Sequence, residues 1–267
     1  HVRSRRQRQM CIRDSVKVHA EPYQGIDGKG FGFVLWQGAS ISIENFNVTG
    51  TSLPINLING LEYTESPINL GDKINSDYDE MSPVITADGE HLYFSRKKHP
   101  NNFGGPSDLE DAYVSENING IWQQAKNIGS PINNHGPNAV HSASPDGNSL
   151  LLMNLYEPDG KQKGQGLSES NKTTTGWSVP QQVKIRQYYN KSGFNEFFMS
   201  ANEQVLIFAI ERDGTNGGRD LYVSFNEGNG IWSKPKNMGR TLNTEGTEMS
   251  PFLAPDGVTL YFSSNGH

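Results

Sequence analysis

The sequence has little of several features that would assign a 267-residue chain to a class at once. One cysteine excludes an internal disulfide framework. No apolar run approaches the roughly 18 residues of a membrane span, which excludes an integral helical membrane protein for this stretch. No long stretch has the 3.6-residue period of an amphipathic helix. A net charge of -6 argues against binding nucleic acid through bulk charge.

Catalytic signatures are also missing from the sequence. It contains no Gly-x-Ser-x-Gly elbow, no His-Glu-x-x-His helix and no phosphate-binding loop. The seven histidines are scattered without the spacing of metal ligands, so we expect no zinc site. The glycines of segment 28–32 are followed by no helical pattern, which argues against a dinucleotide fingerprint. The sequence therefore predicts no catalytic residues and no cofactor.

The first fifteen residues differ from the rest in composition. Segment 5–15, RRQRQMCIRDS, resembles one reading frame of the adapter used in transposase-based DNA sequencing libraries. We therefore expect residues 1–15 to be a non-native segment and exclude them from reasoning about the fold. Without their five Arg and one Asp, 18 basic and 28 acidic residues remain, for a net charge of -10 and no cysteine.

Internal repeats dominate the remainder of the chain. The string Glu-Met-Ser-Pro at 80–83 recurs at 248–251, and an Asp-Gly pair follows each copy at 88–89 and 256–257. A weaker copy carries Asp-Gly at 146–147, and another covers 198–208. Trp122, Trp177 and Trp232 are spaced 55 residues apart, and the Asn-x-Gly strings at 127–129 and 237–239 are separated by 110. Markers that keep one period over several copies indicate tandem structural repeats.

Each repeat has the pattern of four short strands. Asp-Gly and Asn-Gly pairs between short β-type runs are typical of hairpins. Four-stranded units of about fifty residues in tandem indicate propeller blades, which bury their faces by stacking on one another. The sequence predicts an all-β, incomplete β-propeller of four-stranded antiparallel blades with repeats of about 55 residues. We expect structural roles, as turns or as apolar fillers between blades, for Asp88, Gly89, Trp122, Asp146, Gly147, Trp177, Trp232, Asp256 and Gly257.

The repeat pattern is similar to that of a known family. Glu-Met-Ser-Pro, Asp-Gly, Leu-Tyr-Phe-Ser, Asp-Leu-Tyr-Val-Ser, Gly-Ile-Trp and Asn-Met-Gly in this order resemble the WD40-like, TolB-type propeller repeat of bacterial envelope proteins, which recurs in OmpA-family outer-membrane proteins. The resemblance implies a binding scaffold without catalytic residues, placed in the periplasm or at the outer membrane, with protein or peptidoglycan-associated partners. The second repeat departs from the pattern, because Tyr188 and Tyr189 stand where the Asn-x-Gly marker is expected.

The expected organisation has three parts. After the non-native segment 1–15, residues 16–60 read as a β-rich segment, either an earlier blade or a separate β domain. Residues 61–267 carry the repeats. Segments 59–63 and 69–71 resemble the last strand of a preceding blade, and the final repeat stops after two strands. We therefore expect a propeller that is truncated at its C-terminus and whose ring does not close within this chain.

Two groups of loop residues are candidates for function. The loops that join the second and third strands lie on one rim of a propeller, and binding residues concentrate on such loops. Their candidates for ligand binding are Arg96, Lys97, His99, Asn101, Arg212, Asp213 and Asp220. The acidic string that contains Asp77, Asp79 and Glu80 offers oxygen ligands for a cation such as calcium. A solvated loop is the preferred interpretation of that string, so no metal is predicted.

Three functions remain open at this point. The first is a non-enzymatic scaffold of the bacterial cell envelope that binds protein or cell-wall partners. The second is the propeller portion of an enzyme, with a peptidase nucleophile on a missing domain or a pair of glycosidase carboxylates in the channel. The third is a carbohydrate-binding module, which rests only on aromatic residues such as Trp36, Tyr188 and Tyr189.

Overall fold

The computed structural model describes Ile55 and residues 66–267. The chain divides into two units, His1–Pro54 and Ile55–His267. The expected segments 1–15 and 16–60 lie outside the described residues, apart from Ile55, so their assignments stay predictions. Within the described part, the only helical segment is the 3₁₀ turn Gly105–Ser107. The all-β prediction is therefore confirmed.

The first blade is an antiparallel sheet in which each strand pairs with the next along the chain. The order is β1-β2-β3, and the expected fourth strand consists of two short pieces, β4 and β5, that both pair with β3. The five strands are β1 (Asp79–Ile85), β2 (His91–Lys97), β3 (Glu110–Ile118), β4 (Ile121–Trp122) and β5 (Lys126–Asn127).

The second and third blades repeat this plan. In the second blade, the order is β6-β7-β8, with β9 and β10 both paired to β8. In the third blade, the order is β12-β13-β14-β16, and β15 pairs in parallel with β11, which follows the second blade. Their strands are β6 (Val140–Ala143), β7 (Ser149–Tyr156), β8 (Gln162–Thr173), β9 (Gly176–Trp177), β10 (Gln181–Gln182), β11 (Lys184–Ile185), β12 (Glu196–Met199), β13 (Val205–Ile210), β14 (Asp220–Phe225), β15 (Ile231–Trp232) and β16 (Lys236–Asn237).

The last repeat contributes the hairpin of β17 (Glu248–Leu253) and β18 (Leu260–Ser264). The first strands of successive sheets contact one another in the order β1, β6, β12 and β17. Sheets that meet along their first strands are arranged around a common axis, which is the geometry of propeller blades. The described residues thus form an arc of a β-propeller, as the repeats predict.

The two dipeptide markers form different turns. At Asn119-Gly120 both residues have positive φ and Ile118 pairs with Ile121, which is the geometry of a type I′ turn in a two-residue hairpin loop. At Asn229-Gly230 both residues also have positive φ, but the loop is one residue longer, because Gly228 has φ of +85° and the N–H of Glu227 donates to the carbonyl of Ile231. At the Asp-Gly pairs only the glycine has positive φ, for example +73° at Gly89. The Asp-Gly connections are therefore wider loops than the tight turns expected from the sequence.

The Met-Ser-Pro strings form β-bulges in the first strands of two blades. The pairing of β1 with β2 shifts register between Met81 and Val84, and Ser82 has φ of +52°. The pairing of β17 with β18 shifts in the same way, and Ser250 has φ of +51°. A bulge increases local strand twist, so this marker shapes the inner edge of each blade that carries it.

Most of the hydrophobic core of the described residues lies between neighbouring blades. One cluster joins Leu151 and Leu167 of the second blade to Phe208 and Trp232 of the third. A second cluster joins Tyr93 and other residues of the first blade to the second blade, with Trp177 packed against it. Trp122 packs against a third cluster, which includes Ile74 from the segment before β1. Because burial depends on neighbours, each blade is stable only as part of the stack.

The Asn-x-Gly marker forms a local turn closed by its own side chain. Gly129 and Gly239 donate their backbone N–H to the Oδ1 of Asn127 and Asn237, at 2.8 Å in both cases. Gly71 makes the same bond to Asn69 at 2.7 Å, although residues 66–71 form no strand. Segment 69–71 therefore has the turn of the marker, and its assignment to a preceding blade stays a prediction because segment 59–63 lies outside the described residues.

Candidate functional site

The expected rim residues do not all lie in loops. Arg96 and Lys97 are the last residues of β2, and Asp220 is the first residue of β14. The loop placement was wrong for these three because strand pairing extends further than the sequence indicated, to Lys97 opposite Glu110 and Asp220 opposite Ile210. The remaining four lie between strands, and they are His99, Asn101, Arg212 and Asp213.

Arg96 is buried and fully engaged. Its Nε lies 3.0 Å from Glu80 Oε1, and its Nη2 donates to the carbonyl of Ile74 at 2.6 Å. Its guanidinium carbon lies 4.8 Å from the ring centroid of Tyr113, a cation–π distance. Since its charge is paired within the protein, Arg96 stabilises the start of the first blade and offers little to a ligand.

Lys97, His99 and Asn101 form a part-exposed group beside it. Lys97 Nζ lies 3.7 Å from a carboxylate oxygen of Glu110. His99 Nδ1 accepts from the backbone N–H of Asn101 at 3.1 Å and lies 3.1 Å from the hydroxyl of Tyr113. Partial burial, and then the nearby positive charge of Arg96, lower the pKa of His99 below its usual 6.5. This histidine is therefore a hydrogen-bond acceptor at neutral pH.

Asp220 has a structural position with an exact counterpart in the first blade. Its Oδ2 accepts from the Nδ2 of Asn237 at 2.7 Å and from a loop backbone N–H. Asp111 Oδ2 accepts in the same way from Asn127 at 2.6 Å. Both carboxylates are fully buried. The contacts fasten the β2–β3 and β13–β14 loops to the outer strands.

Arg212 makes contacts in the third blade like those of Arg96 in the first, although it lies two residues beyond Ile210, which pairs with Asp220 as Arg96 pairs with Asp111. Its charge has no carboxylate partner among the described residues. It is 6% exposed, its Nη2 donates to the carbonyl of Gln187 at 3.2 Å, and its Nη1 has no hydrogen-bond partner within the described part of the chain. The guanidinium carbon lies 4.4 Å from the ring centroid of Tyr189 and 5.6 Å from that of Tyr222. A buried charge without an opposite charge is costly, so this arginine is unusual.

The departure of the second repeat explains the missing partner. The hydroxyls of Ser76 and Thr244 each donate to a glutamate four residues later, Glu80 or Glu248, at 2.6 Å. Tyr189 stands at the matching point before the third blade, two residues after the carbonyl that Arg212 contacts. By strand register, the residue at the Glu80 position is Asn195, because Glu196 pairs with Ala209 as Met81 pairs with Ser95. The repeat has thus replaced a hydroxyl and a carboxylate by an aromatic ring and an amide.

A cavity of about 490 Å³ opens beside Arg212. It brings together two groups of residues that the sequence analysis treated separately, the rim residues Arg212 and Asp213 and the aromatic pair Tyr188 and Tyr189. Lys234, an exposed residue, adds a second positive charge. The lining consists of Gln187, Tyr188, Tyr189, Arg212, Asp213, Gly214, Tyr222, Lys234, Pro235 and Asn237.

The acid in this lining already has partners. Asp213 forms an ion pair with Lys191, and that contact is the main cause of its lowered pKa. Its backbone N–H donates to the hydroxyl of Tyr189 at 2.9 Å, which fixes the edge of that ring. Burial raises the pKa of Tyr188 to about 12, so this phenol stays neutral. The remaining lining charges are positive.

Gln187, Tyr222 and Lys234 are lining residues that the sequence analysis missed. The loss of Asn-x-Gly in the second repeat was the available signal, because it marks where the linker geometry changes. Lys234 was visible as the residue two positions after Trp232, where the first blade has Gln124 after Trp122.

The acidic string does not form a ligand set for a metal. Glu80 is engaged by Arg96 and Ser76, while Asp77 and Asp79 are exposed. In the part of the chain that the structure describes, the grouping of three potential ligands is instead Asp88, Glu90 and His91, whose ligand atoms lie within 4.8 Å. Asp88 Oδ1 in that group already accepts from Thr86 and from the backbone of Glu90.

The residues expected to be structural lie in turns or at blade interfaces. The carboxylates of Asp88, Asp146 and Asp256 accept bonds within their own loops, from Thr86, Ser144 and Thr259 at 2.6 Å, and these bonds lower their pKa. Trp232 is buried between the second and third blades, and Trp122 and Trp177 are half-buried. Gly89, Gly147 and Gly257 have φ between +66° and +73°.

Among known proteins, solved structures are what this chain resembles. No protein-family model matches the chain, and a search of curated proteins gives no match. TolB from Acinetobacter baumannii is similar at 11% identity and a TM-score of 0.39, over 69% of this chain and 43% of TolB. The periplasmic gluconolactonase of Pseudomonas aeruginosa has 15% identity and a TM-score of 0.37, over 69% of this chain and 64% of its own.

A puromycin hydrolase has 12% identity and a TM-score of 0.32, over 68% of this chain and 33% of its own. The chain therefore spans less than two thirds of each of these proteins. TM-scores this low carry no inference about function, and the propeller assignment rests on the order of the sheets. In the described range, no helix is long and apolar enough to cross a membrane.

Proposed function

We propose that the chain is a non-enzymatic binding propeller of the bacterial cell envelope that recognises protein or cell-wall partners. The cavity beside Arg212 is the observation that carries this proposal. It combines a buried, unpaired guanidinium with two tyrosines on the rim of the arc, and binding sites concentrate in concave places with few convergent polar groups. The resemblance of the repeats to TolB-type propellers supports placement in the periplasm or at the outer membrane.

The inner strands support binding rather than glycoside hydrolysis. A glycosidase needs two carboxyl groups that converge on one bond. Glu80 is bound by Arg96, Glu196 lies 3.3 Å from Arg219 Nη1, and Glu248 is buried and accepts from Thr244 and Ser264. Each of these carboxylates has a partner within the protein, so the geometry favours structural roles for them.

Co-sedimentation with isolated peptidoglycan sacculi tests the proposal. The purified chain is mixed with sacculi that retain their attached proteins and with sacculi stripped by protease. Sedimentation with both preparations indicates recognition of the cell wall, and sedimentation with the untreated preparation alone indicates a protein partner. A chain that stays in solution with both contradicts the proposal. Release of soluble sugar or peptide products from the sacculi would instead favour the enzyme alternative.

A further inference from the structure

We propose that the cavity beside Arg212 binds an acidic sugar, with the carboxylate directed toward Arg212 and Lys234 and the sugar ring against Tyr189. This inference rests on the proposed function and deepens it, because it names the ligand class of the same site. It follows from three properties of the cavity, which are its charge, its aromatic surface and its size.

The charge of the lining favours an anion. Arg212 is 6% exposed and has no carboxylate partner among the residues that the structure describes. Lys234 adds a second cation at the surface of the cavity, and Asp213 is compensated by Lys191. Planar guanidinium groups match carboxylates well.

The aromatic surface favours a ring-shaped ligand. Tyr189 is 36% exposed, and its ring is held by the guanidinium of Arg212 at 4.4 Å and by the N–H of Asp213 at its hydroxyl. Tyr188 packs behind it against Phe197 and Phe208, with ring centroids at 6.1 Å in both pairs. An amphipathic ring fixed in this way offers an apolar face and a polar edge, which suits the C–H face and hydroxyls of a sugar.

The size and the remaining polar groups agree with one or two sugar units. A cavity of about 490 Å³ lies within the range of about 300–1,000 Å³ typical of small-molecule sites. The exposed side chain of Gln187 supplies an amide that can bond hydroxyl groups. The first blade lacks this combination, because Glu80 neutralises Arg96 and Gln124 stands in place of Lys234.

Titration with matched sugars tests the ligand class. The purified chain is titrated with glucuronic acid against glucose, and with N-acetylmuramic acid against N-acetylglucosamine, by calorimetry or by NMR shifts. We expect the acidic member of each pair to bind at least tenfold more tightly, with the difference shrinking as salt is raised. Equal affinity within both pairs would overturn the assignment, and so would no binding of either acid.

Two lysines provide a matched pair of variants. Lys234 and Lys236 are both exposed and two residues apart, but only Lys234 lines the cavity. We expect Lys234→Gln to weaken binding of the acidic sugars about fivefold, and Lys236→Gln to change it less than twofold. Equal effects of the two changes would show that binding depends on general surface charge and would contradict the site.

Arg212 is tested with a stability control because it is buried. We expect Arg212→Gln to weaken acidic-sugar binding more than tenfold, while Arg212→Lys restores part of it. A thermal unfolding curve for each variant shows whether the lost binding reflects lost folding. Unchanged acid preference in folded Arg212→Gln would refute the role of this residue.

The two proposals fail in different ways. Binding of sacculi without any preference for acidic sugars would reject the ligand class and leave the envelope scaffold standing. A clear preference for acidic sugars in a chain that sediments with neither preparation of sacculi would reject the envelope partner. The acidic-sugar site would then still stand.

Discussion

The first and third blades present two versions of the same arginine site, which we call the corner of the repeat. It is the place where the end of the second strand meets the segment that precedes the first strand. In each, an arginine lies over a tyrosine of the third strand and donates to a carbonyl in the segment before the first strand. Arg96 in the first blade also has Glu80 at 3.0 Å. Arg212 in the third blade has the ring of Tyr189 in that region instead.

The difference teaches how a structural corner becomes a candidate site. In the first blade, Glu80 neutralises the charge of Arg96, so this corner contributes to stability. In the third blade, tyrosine and asparagine stand in place of the hydroxyl and the carboxylate, so Arg212 has no carboxylate partner and lies beside a cavity. The same fold thus accommodates both versions, and the linker before the blade decides between them.

The largest expected effect comes from breaking the ion pair of the first blade. Glu80→Gln leaves the Arg96 charge buried without a partner, and we expect a loss of about 3 kcal/mol in the free energy of unfolding. Arg212→Gln leaves no carboxylate unpaired, so we expect a loss of about 1 kcal/mol. Urea unfolding measures both.

The exposed neighbour Asp79 provides the control for this comparison. Asp79→Asn removes the same charge one residue away and should change stability by less than about 0.5 kcal/mol. Equal losses for Glu80→Gln and Arg212→Gln would mean that the two corners do not differ in the way described.

A smaller effect is expected from the glycine pairs of the two rim loops. A Cβ at Gly217 would overlap the backbone of Glu245 and the carbonyl of Gly246, which cannot move independently. A Cβ at Gly104 would lie 3.0 Å from a carboxylate oxygen of Asp108, a side chain that can adjust. We expect Gly217→Ala to cost about 2 kcal/mol and Gly104→Ala less than about 1 kcal/mol. Thermal unfolding of the two variants checks the order, and the reverse order would contradict the contacts of the third-blade loop.

The smallest effect concerns pH. Tyr113 in the first blade faces His99, whereas Tyr222 in the third faces the hydroxyl of Thr215 at 2.9 Å, which does not titrate. Because the folded pKa of His99 lies below its usual value, its contribution to stability is present above about pH 6.5 and is lost as pH falls through the folded value.

NMR titration of the His99 ring should therefore show a pKa below 6.5, and Arg96→Gln should raise it because a nearby positive charge is removed. A His99 that titrates at or above the usual value would contradict the proposed difference between the corners.

The sequence predicted the fold well because its signals were local and repeated. Asn-Gly turns, the spacing of Trp122, Trp177 and Trp232, and the Asp-Gly loops each specify short-range backbone geometry. They gave the all-β blades and the order of strands. The division of the fourth strand into two pieces was not visible, because two-residue strands such as β4 and β5 have no periodicity to detect.

The candidate site was predicted only in part because it depends on contacts between distant segments. Arg212 and Asp213 were identified from their rim loop, and Tyr188 and Tyr189 as exposed aromatics, but nothing in the sequence joined them. Their meeting depends on the carbonyl of Gln187 and the hydroxyl of Tyr189, which lie 25 and 24 residues from their partners. The burial of Arg96 was missed for the same reason, since Ile74 lies 22 residues away.

The linker after the first blade has a consequence for protein design. Asn133 bonds both the N–H and the carbonyl of Ala112 behind it, while the carbonyl of Ile132 accepts from Tyr156 ahead of it. A circular permutation or a domain insertion placed in this linker would therefore break bonds to two sheets at once. The Asn119-Gly120 turn has its contacts within one hairpin and is the safer place to open the chain. A unit moved into another protein should therefore begin and end at such hairpin turns, so that the linker between two blades stays intact.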